Sequence, residues 1–258
     1  MDWNKIKTIF ILTFLILNVF LASEFYKLKN STPYTLNTET SFEKKLKNEE
    51  ITYIDFPKNI TTDKYLVAVP KLFYVDELLP STIDKENPNY KITNGTVLEV
   101  VLKTPYVLSE SNVNSLETFL LTNVLYGQEY KYWGQKNNQI IFYQQYEGKT
   151  FYHNQNGELI INVSDDNKII SYYQTYLTDI QVLSEDEKII QPMSALEILY
   201  NNAKLRSHDK ITSVELGYYA FVQTSTTQVL TPAWRFIIND TKDLYVHAIE
   251  GQVIQIDI

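Results

Sequence analysis

The chain of 258 residues contains no cysteine. Disulfides, thiolate nucleophiles, Cys-ligated zinc, iron–sulfur clusters and a lipid-modified N-terminal cysteine are thereby excluded. Glycine is also scarce, at 7 residues, where average usage is about 7%. No glycines are spaced as G-x-G-x-x-G, and Gly148-Lys149-Thr150 lacks the earlier glycine of a P-loop because Tyr143 stands in that place. Nucleotide cradles built on glycine-rich turns are therefore excluded. Positive charge is short as well: 23 Lys and Arg face 31 Asp and Glu, a formal −8. Neutralising phosphates needs a dense basic face, so this balance argues against a nucleic-acid partner.

What is present suits a folded protein. Hydrophobic residues make up 44% of the chain, with 20 Tyr and 12 Phe among them. Each such ring buries on the order of 150–250 Å², enough to build a core without staples.

The first informative segment is N-terminal. Lys5 and Lys7 precede Thr8–Ala22, which carries no charge, and Glu24 and Lys27 follow it. Those residues give a helix of about 22 Å, short of the roughly 30 Å hydrocarbon core. Snorkelling of Lys5 and Lys7, and the apolar Ile6, Phe25 and Tyr26, extend the span to about 20 residues. Trp3 and Tyr26 sit where interfacial aromatics belong. A cleaved signal peptide would want small residues before its cut. Cleavage after Ala22 or Ser23 instead meets Phe20 or Leu21, so an uncleaved transmembrane anchor is expected.

Lys5 and Lys7 place the short N-terminal flank in the cytoplasm and everything after the anchor outside the cell membrane. Met1–Ala22 carry +1, so the exported remainder carries −9. Within the anchor, Thr13 and Asn18 are the unusual polar residues, and Phe10, Phe14 and Leu17 form a stripe beside them. An Asn in a short apolar helix meets either a partner helix or the outer headgroups. Phe10, Thr13, Phe14, Leu17 and Asn18 are the candidate transmembrane partner contacts.

The exported part reads as α+β. Thr40-Ser41-Phe42-Glu43 has capping-box spacing and predicts a helix through Lys47. Ile51–Phe56, Tyr65–Val69 and Thr96–Leu102 are β-rich, separated by turn residues at Pro57-Lys58-Asn59, Asn87-Pro88-Asn89 and Asn94-Gly95. A second helix is predicted over Ser115–Leu125, stopped by Gly127, with strands from Tyr130 to Leu183. A third helix takes Ser194 as N-cap, with Glu197 three later and Leu196, Leu199, Tyr200 and Ala203 on its apolar face. Four strands close the chain, near 211–223, 228–238, 244–249 and 253–256. Gln139–Ile160 and Ala233–Ile254 align without gaps at an offset of 94, matching Phe142 to Phe236, His153 to His247 and Gly157 to Gly251. With a helix upstream of each, they predict two related modules. The expected organisation is a cytoplasmic stub and anchor (1–29), a membrane-proximal lobe (30–183) and a C-terminal lobe (184–258), each lobe an antiparallel sheet packed with a helix. Ser184-Glu185-Asp186-Glu187 is the expected linker.

Chemistry-bearing patterns are sparse. His153, His208 and His247 make no H-x-x-x-H or H-E-x-x-H pair, so a structural role is expected for them. Ser41…Lys44 and Ser207…Lys210 have S-x-x-K spacing, but no K-T-G or G-x-S-x-G accompanies them, and chance alone supplies such matches. Neither Glu185-Asp186-Glu187 nor Asp165-Asp166 has calcium-loop spacing, and Asp165-Asp166-Asn167 reads as a hairpin turn. No catalytic residue, metal ligand or cofactor is expected.

The stretch Asp2–Asn18, D-W-N-K-x-K-T-I-F-I-x-x-F-L-I-L-N, resembles the start of the YycI (WalI) family of low-GC Gram-positive bacteria. The closing TPAWRFII…YVHAIEGQVI at Thr231–Ile254 is similar to it too. The resemblance implies a two-lobed exported region without an active site. It implies an auxiliary protein of the essential WalK–WalR (YycG–YycF) two-component system, which governs cell-wall metabolism. Its implied partners are a YycH-like sister protein, as a heterodimer, and the WalK sensor histidine kinase. With about seven residues inside, any signal is expected to pass by helix–helix contact or ectodomain docking. The reading from another class is an anchored cell-wall hydrolase or an inhibitor of an exported enzyme.

Overall fold

A computed structural model describes residues 3–30, 37–58, 60–78, 89–108, 115–224 and 226–256. Two compact units are present, Met1–Asn48 and Glu49–Ile258. The first holds α1 (Trp3–Asn30) and α2 (Asn37–Asn48). Helix α2 begins before the predicted capping box and runs through it. Helix α1 is apolar and long enough to cross a membrane over Ile6–Glu24, by length and composition, a rise of about 28 Å. Every side chain from Lys7 to Glu24 is exposed.

The second unit begins with short strands β1 (Thr52–Tyr53), β2 (Thr62–Asp63), β3 (Leu66–Pro70) and β4 (Tyr90–Thr93), then the long β5 (Val97–Val107). The β4–β5 turn needs positive φ at two successive residues, and Asn94 (51°) with Gly95 (76°) supplies it. Helix α3 (Ser115–Asn123) leads into β6 (Tyr130–Lys136), β7 (Gln139–Tyr146), β8 (Lys149–Thr150), β9 (Glu158–Val163), β10 (Lys168–Gln174), β11 (Leu177–Val182) and β12 (Glu187–Lys188). Helix α4 (Pro192–Asn201) precedes β13 (Lys210–Tyr219), β14 (Gln228–Ile238), β15 (Lys242–His247) and β16 (Val253–Ile254).

Two sheets carry the unit, as an α+β fold of mostly antiparallel strands in separate lobes. Sheet I has the order β4-β5-β10-β9-β7-β6, with β8 attached to β7; sheet II runs β1-β13-β14-β15-β16, with β3 joining β14 and β11. The β1–β13 pair is parallel. One face of sheet I packs α3: Phe119, Leu120 and Val124 meet Leu98, Val100, Phe142, Leu159, Ile161, Ile169 and Tyr172. Helix α4 lies by β15 and buries Ala195, Leu196 and Leu199. Trp234, fully buried in sheet II, donates its indole N–H to the carbonyl of Ile190 just before that helix, at 2.9 Å.

Several sequence expectations need correction. Helix α4 starts at Pro192 with Gln191 in the cap position and no side-chain cap bond, so Ser194 is not its N-cap. Proline fits the first helical turn because its missing N–H has no intrahelical partner there. Ala203, expected on its face, lies beyond the end at φ 54°. Glu187, placed in the linker, pairs with Asp63 in the β12–β2 ladder. The strands also divide differently from the chain: β1, β3 and β11, all before residue 184, lie in the sheet of the C-terminal strands.

The last correction concerns the gapless offset. In sheet I the third aligned segment, β9, pairs with β7, the first. In sheet II the third, β16, pairs with β15, the second. Gly251 has φ +70°, whereas Gly157 is not in the positive-φ region. The gapless match therefore equates unlike strands. The recurrence lies at another level: each of α3 and α4 is followed by a four-stranded meander, β6-β7-β9-β10 and β13-β14-β15-β16. The correspondence needs a gap, because sheet I carries an extra segment between β7 and β9.

That segment joins the sheets. After β8, Phe151 bridges Tyr218 of β13 in parallel, and Tyr152 N–H donates to the Tyr218 carbonyl at 2.8 Å. Phe151 and Tyr152 are fully buried. Gly217 allows this approach: a Cβ there would lie 2.4 Å from Tyr152 Cζ and 2.5 Å from the Thr150 carbonyl oxygen. Gly217→Ala is therefore expected to cost about 1–3 kcal/mol through overpacking and to lower Tm by several degrees in thermal unfolding. An unchanged Tm would show that the crossing is not close-packed.

Candidate functional site

On α1, successive residues advance by about 100°. Phe10, Phe14 and Asn18 fall on one i, i+4 row and line a shallow apolar groove with Ile11, Leu15, Val19 and Ala22. Thr13 and Leu17 lie on its flank, outside the groove lining. Phe10 is 74% exposed and Leu17 49%. Thr13 Oγ1 donates to the Ile9 carbonyl and Asn18 Nδ2 to the Phe14 carbonyl, each at 2.9 Å. These back-bonds satisfy one donor on each side chain within the helix. The Asn18 carboxamide oxygen accepts no hydrogen bond among the described residues, and the residue is exposed.

In the second unit, a polar and aromatic network centres on Arg235. Its guanidinium lies 3.8 Å over the Trp133 ring, pairs with Asp243 at 2.8 Å and approaches Glu215 at 3.7 Å. Tyr245 donates to Asp243 at 3.1 Å, and its oxygen lies 3.0 Å from His153 Nε2. Lys131 pairs with the same Glu215 oxygen, Oε2, at 3.1 Å. Trp133, Tyr143 and Tyr245 wall in the His153 ring. Burial lowers the His153 pKa to about 4; the Asp243 charge opposes that effect, while Arg235 adds to it.

The other histidines are occupied as well. His247 is 1% exposed, and its Nδ1 accepts the backbone N–H groups of Ile249 and Glu250 at 3.2 and 3.0 Å. Burial lowers its pKa too, as an acceptor of two N–H groups requires. His208 sits on the surface with Glu50 at 3.0 Å. Among the described residues no three His, Asp or Glu side chains group to hold a metal ion. Sequence reasoning missed the Arg235 network, whose members come from β6, β13, β14, β15 and the crossing segment. The one local signal was the rarity of arginine, with only two in the chain.

The family model described as YycI protein matches residues 29–249. The chain belongs to the YycI family. That family is one of regulatory proteins rather than enzymes, so with α1 the YycI-family chain is a membrane-anchored regulator. No curated protein matches it. Among solved structures, an uncharacterized protein from Eubacterium rectale is 11% identical, covering 81% of this chain and 91% of its own, with a TM-score of 0.47. The Bacillus megaterium YpeB C-terminal domain is 11% identical over 86% of this chain and 96% of its own, with a TM-score of 0.40.

The histidine geometry sets a pH dependence. The unfolded chain takes up a proton at residue 153 near pH 6.5, while the folded one does so only near pH 4. Between those values the unfolded state binds more protons, so stability falls as pH falls, by at most about 1.4 kcal/mol per pH unit from this residue. Denaturant unfolding from pH 7 to 5 should show that decline. His153→Asn, which tolerates the φ of 49° at this position, should flatten it; an identical slope would remove His153 as its source.

Proposed function

We propose that this chain is a single-pass extracytoplasmic regulator that modulates the WalK (YycG) sensor kinase together with a YycH-like sister protein. The family match over residues 29–249 carries the reading. Lys5 and Lys7 on the N-terminal flank support an inward N-terminus and an exported second unit. The anchor supports a contact role because its Phe10–Phe14–Asn18 row is exposed along its length and ends in a polar carboxamide.

Phe10 and Phe14 supply packing surface to a partner helix, Asn18 supplies a hydrogen bond, and Thr13 and Leu17 broaden the contact. An interhelical polar contact in a membrane is worth about 0.6–2 kcal/mol, enough to bias an assembly but not to hold one. The second unit then contributes most of the pairing with the sister protein.

Photo-crosslinkers at Phe10 and Phe14 in intact cells should capture the kinase or the sister protein, and crosslinkers at Ile9 and Ile16, off the groove, should capture less. Replacing Ile9–Ala22 by a Leu/Ala span of equal length should weaken regulation at matched expression. Regulation indistinguishable from wild type would make the anchor a tether only, and capture of neither protein by crosslinkers on either unit would overturn the partner assignment.

A further inference from the structure

Strand alternation leaves one face of sheet I turned away from α3. Phe142, Leu159 and Tyr172 point into the α3 core, so their neighbours Tyr143, Glu158 and Tyr173 lie on the opposite face. Tyr143 and Glu158 are direct cross-strand partners. That face opens on a cleft of about 490 Å³, closed by Tyr219 of sheet II, by Gln255 and Ile256 after β16, and by His153 and Gln155 of the crossing segment. The size suits a small molecule or one end of a peptide.

Its charge is one-sided. Glu158 is the only acidic or basic side chain in the lining apart from His153, and His153 stays neutral until about pH 4. The Tyr143 hydroxyl hydrogen-bonds to the Glu158 carboxylate, whose pKa burial raises and this bond lowers. No lysine or arginine pairs with Glu158 among the described residues. The nearby guanidinium of Arg235 is already held by Asp243 and Glu215. A partly buried carboxylate with one neutral partner is held at a desolvation cost that a cation would offset.

The walls fit the same occupant. Tyr143, Tyr173 and Tyr219 offer ring surface, which attracts an ammonium group through its quadrupole. The Gln155 and Gln255 side chains make no hydrogen bond among the described residues and offer carbonyl oxygens to N–H donors. Gln223 is already engaged: its amide donates to the His153 carbonyl at 3.0 Å and accepts the Gln155 N–H at 2.8 Å, fixing the roof of the cleft.

We propose that this cleft is a binding site for a protonated amine, with Glu158 as counter-ion and the three tyrosines as walls. The amine belongs either to a free aliphatic diamine or to the amino group of a peptide. The site stands apart from the kinase reading and does not depend on it.

The proposal is tested by titration calorimetry on the full chain in detergent micelles at pH 7. The probes are 1,5-diaminopentane and the dipeptide Ala-Lys, each beside the form in which both amino groups are acetylated. Saturable binding of either amine supports the site, and the tighter of the two identifies the source. Glu158→Gln, which keeps the side-chain shape, should weaken binding by at least about tenfold, the scale of a lost close charge pair. Acetylation should abolish binding to the unaltered protein, a comparison that holds even if the variant fails to fold. No saturable binding of either amine up to about 10 mM would overturn the proposal. So would equal binding of the acetylated probes, or undiminished binding by a folded Glu158→Gln protein.

Discussion

The buried backbone of the segment between β7 and β9 must find hydrogen-bond partners, because a polar group left unpaired in the interior costs about 1–3 kcal/mol. It finds them in both sheets. Phe151 N–H returns to the Gln144 carbonyl at 2.9 Å, while Tyr152 N–H reaches Tyr218 of sheet II at 2.8 Å. Gln144 extends the tie with its side chain: fully buried, it donates to the Leu177 carbonyl at 2.8 Å and accepts the Leu177 N–H at 2.7 Å. Leu177 opens β11, the strand that carries the chain from sheet I into sheet II. Asn154 and Gln228, both buried, close the knot amide to amide at 2.8 Å. Two crossings of the chain are thus locked by amide groups that have no water to fall back on. The roof of the cleft, His153 to Gln155, is held in place as a consequence.

Elements whose signal is local were legible in the sequence. The apolar run of α1, the turns at Asn94-Gly95 and Asp165-Asp166-Asn167, and the alternation in β3 depend on neighbours a few residues away. Sheet membership does not. Leu66–Leu230 and Val69–Thr178 pairings join residues more than 100 apart, and no short pattern encodes them. The gapless comparison failed for a readable reason. An alternating strand sends adjacent side chains to opposite faces, yet Phe151 and Tyr152 are both fully buried, the mark of a segment covered on two sides. Glu158 was silent because it reads as the ordinary polar start of a strand; only the facing sheet encloses it.

Arginine is used where lysine would not serve. Lysines outnumber arginines 21 to 2, yet the position stacked on Trp133 between Asp243 and Glu215 is Arg235. A planar guanidinium can lie flat on a ring and still present donors at its edge to two carboxylates, whereas an ammonium is a point charge that would surrender one contact for the other. Tyr245 depends on the same arrangement, since Asp243 accepts its hydroxyl hydrogen bond and leaves its oxygen toward His153. The neutral histidine and the paired guanidinium together keep net positive charge out of the cleft beside them.

The energies bear on how a regulator of this shape could act on a kinase. Moving a two-state partner from 1:99 to 99:1 requires about 5.5 kcal/mol of differential binding. One interhelical asparagine contact supplies at most about 2 kcal/mol, and Asn18 has already committed one amide proton to Phe14. On the proposed reading, the anchor face alone therefore modulates rather than switches. Fuller control needs a second attachment through the exported unit, whose effect multiplies the first because the tethered site binds at high effective concentration. On the proposed reading, that is the physical reason for joining a specific helix face and a folded two-sheet unit in one chain: neither contact needs to be strong, and each loses most of its effect without the other.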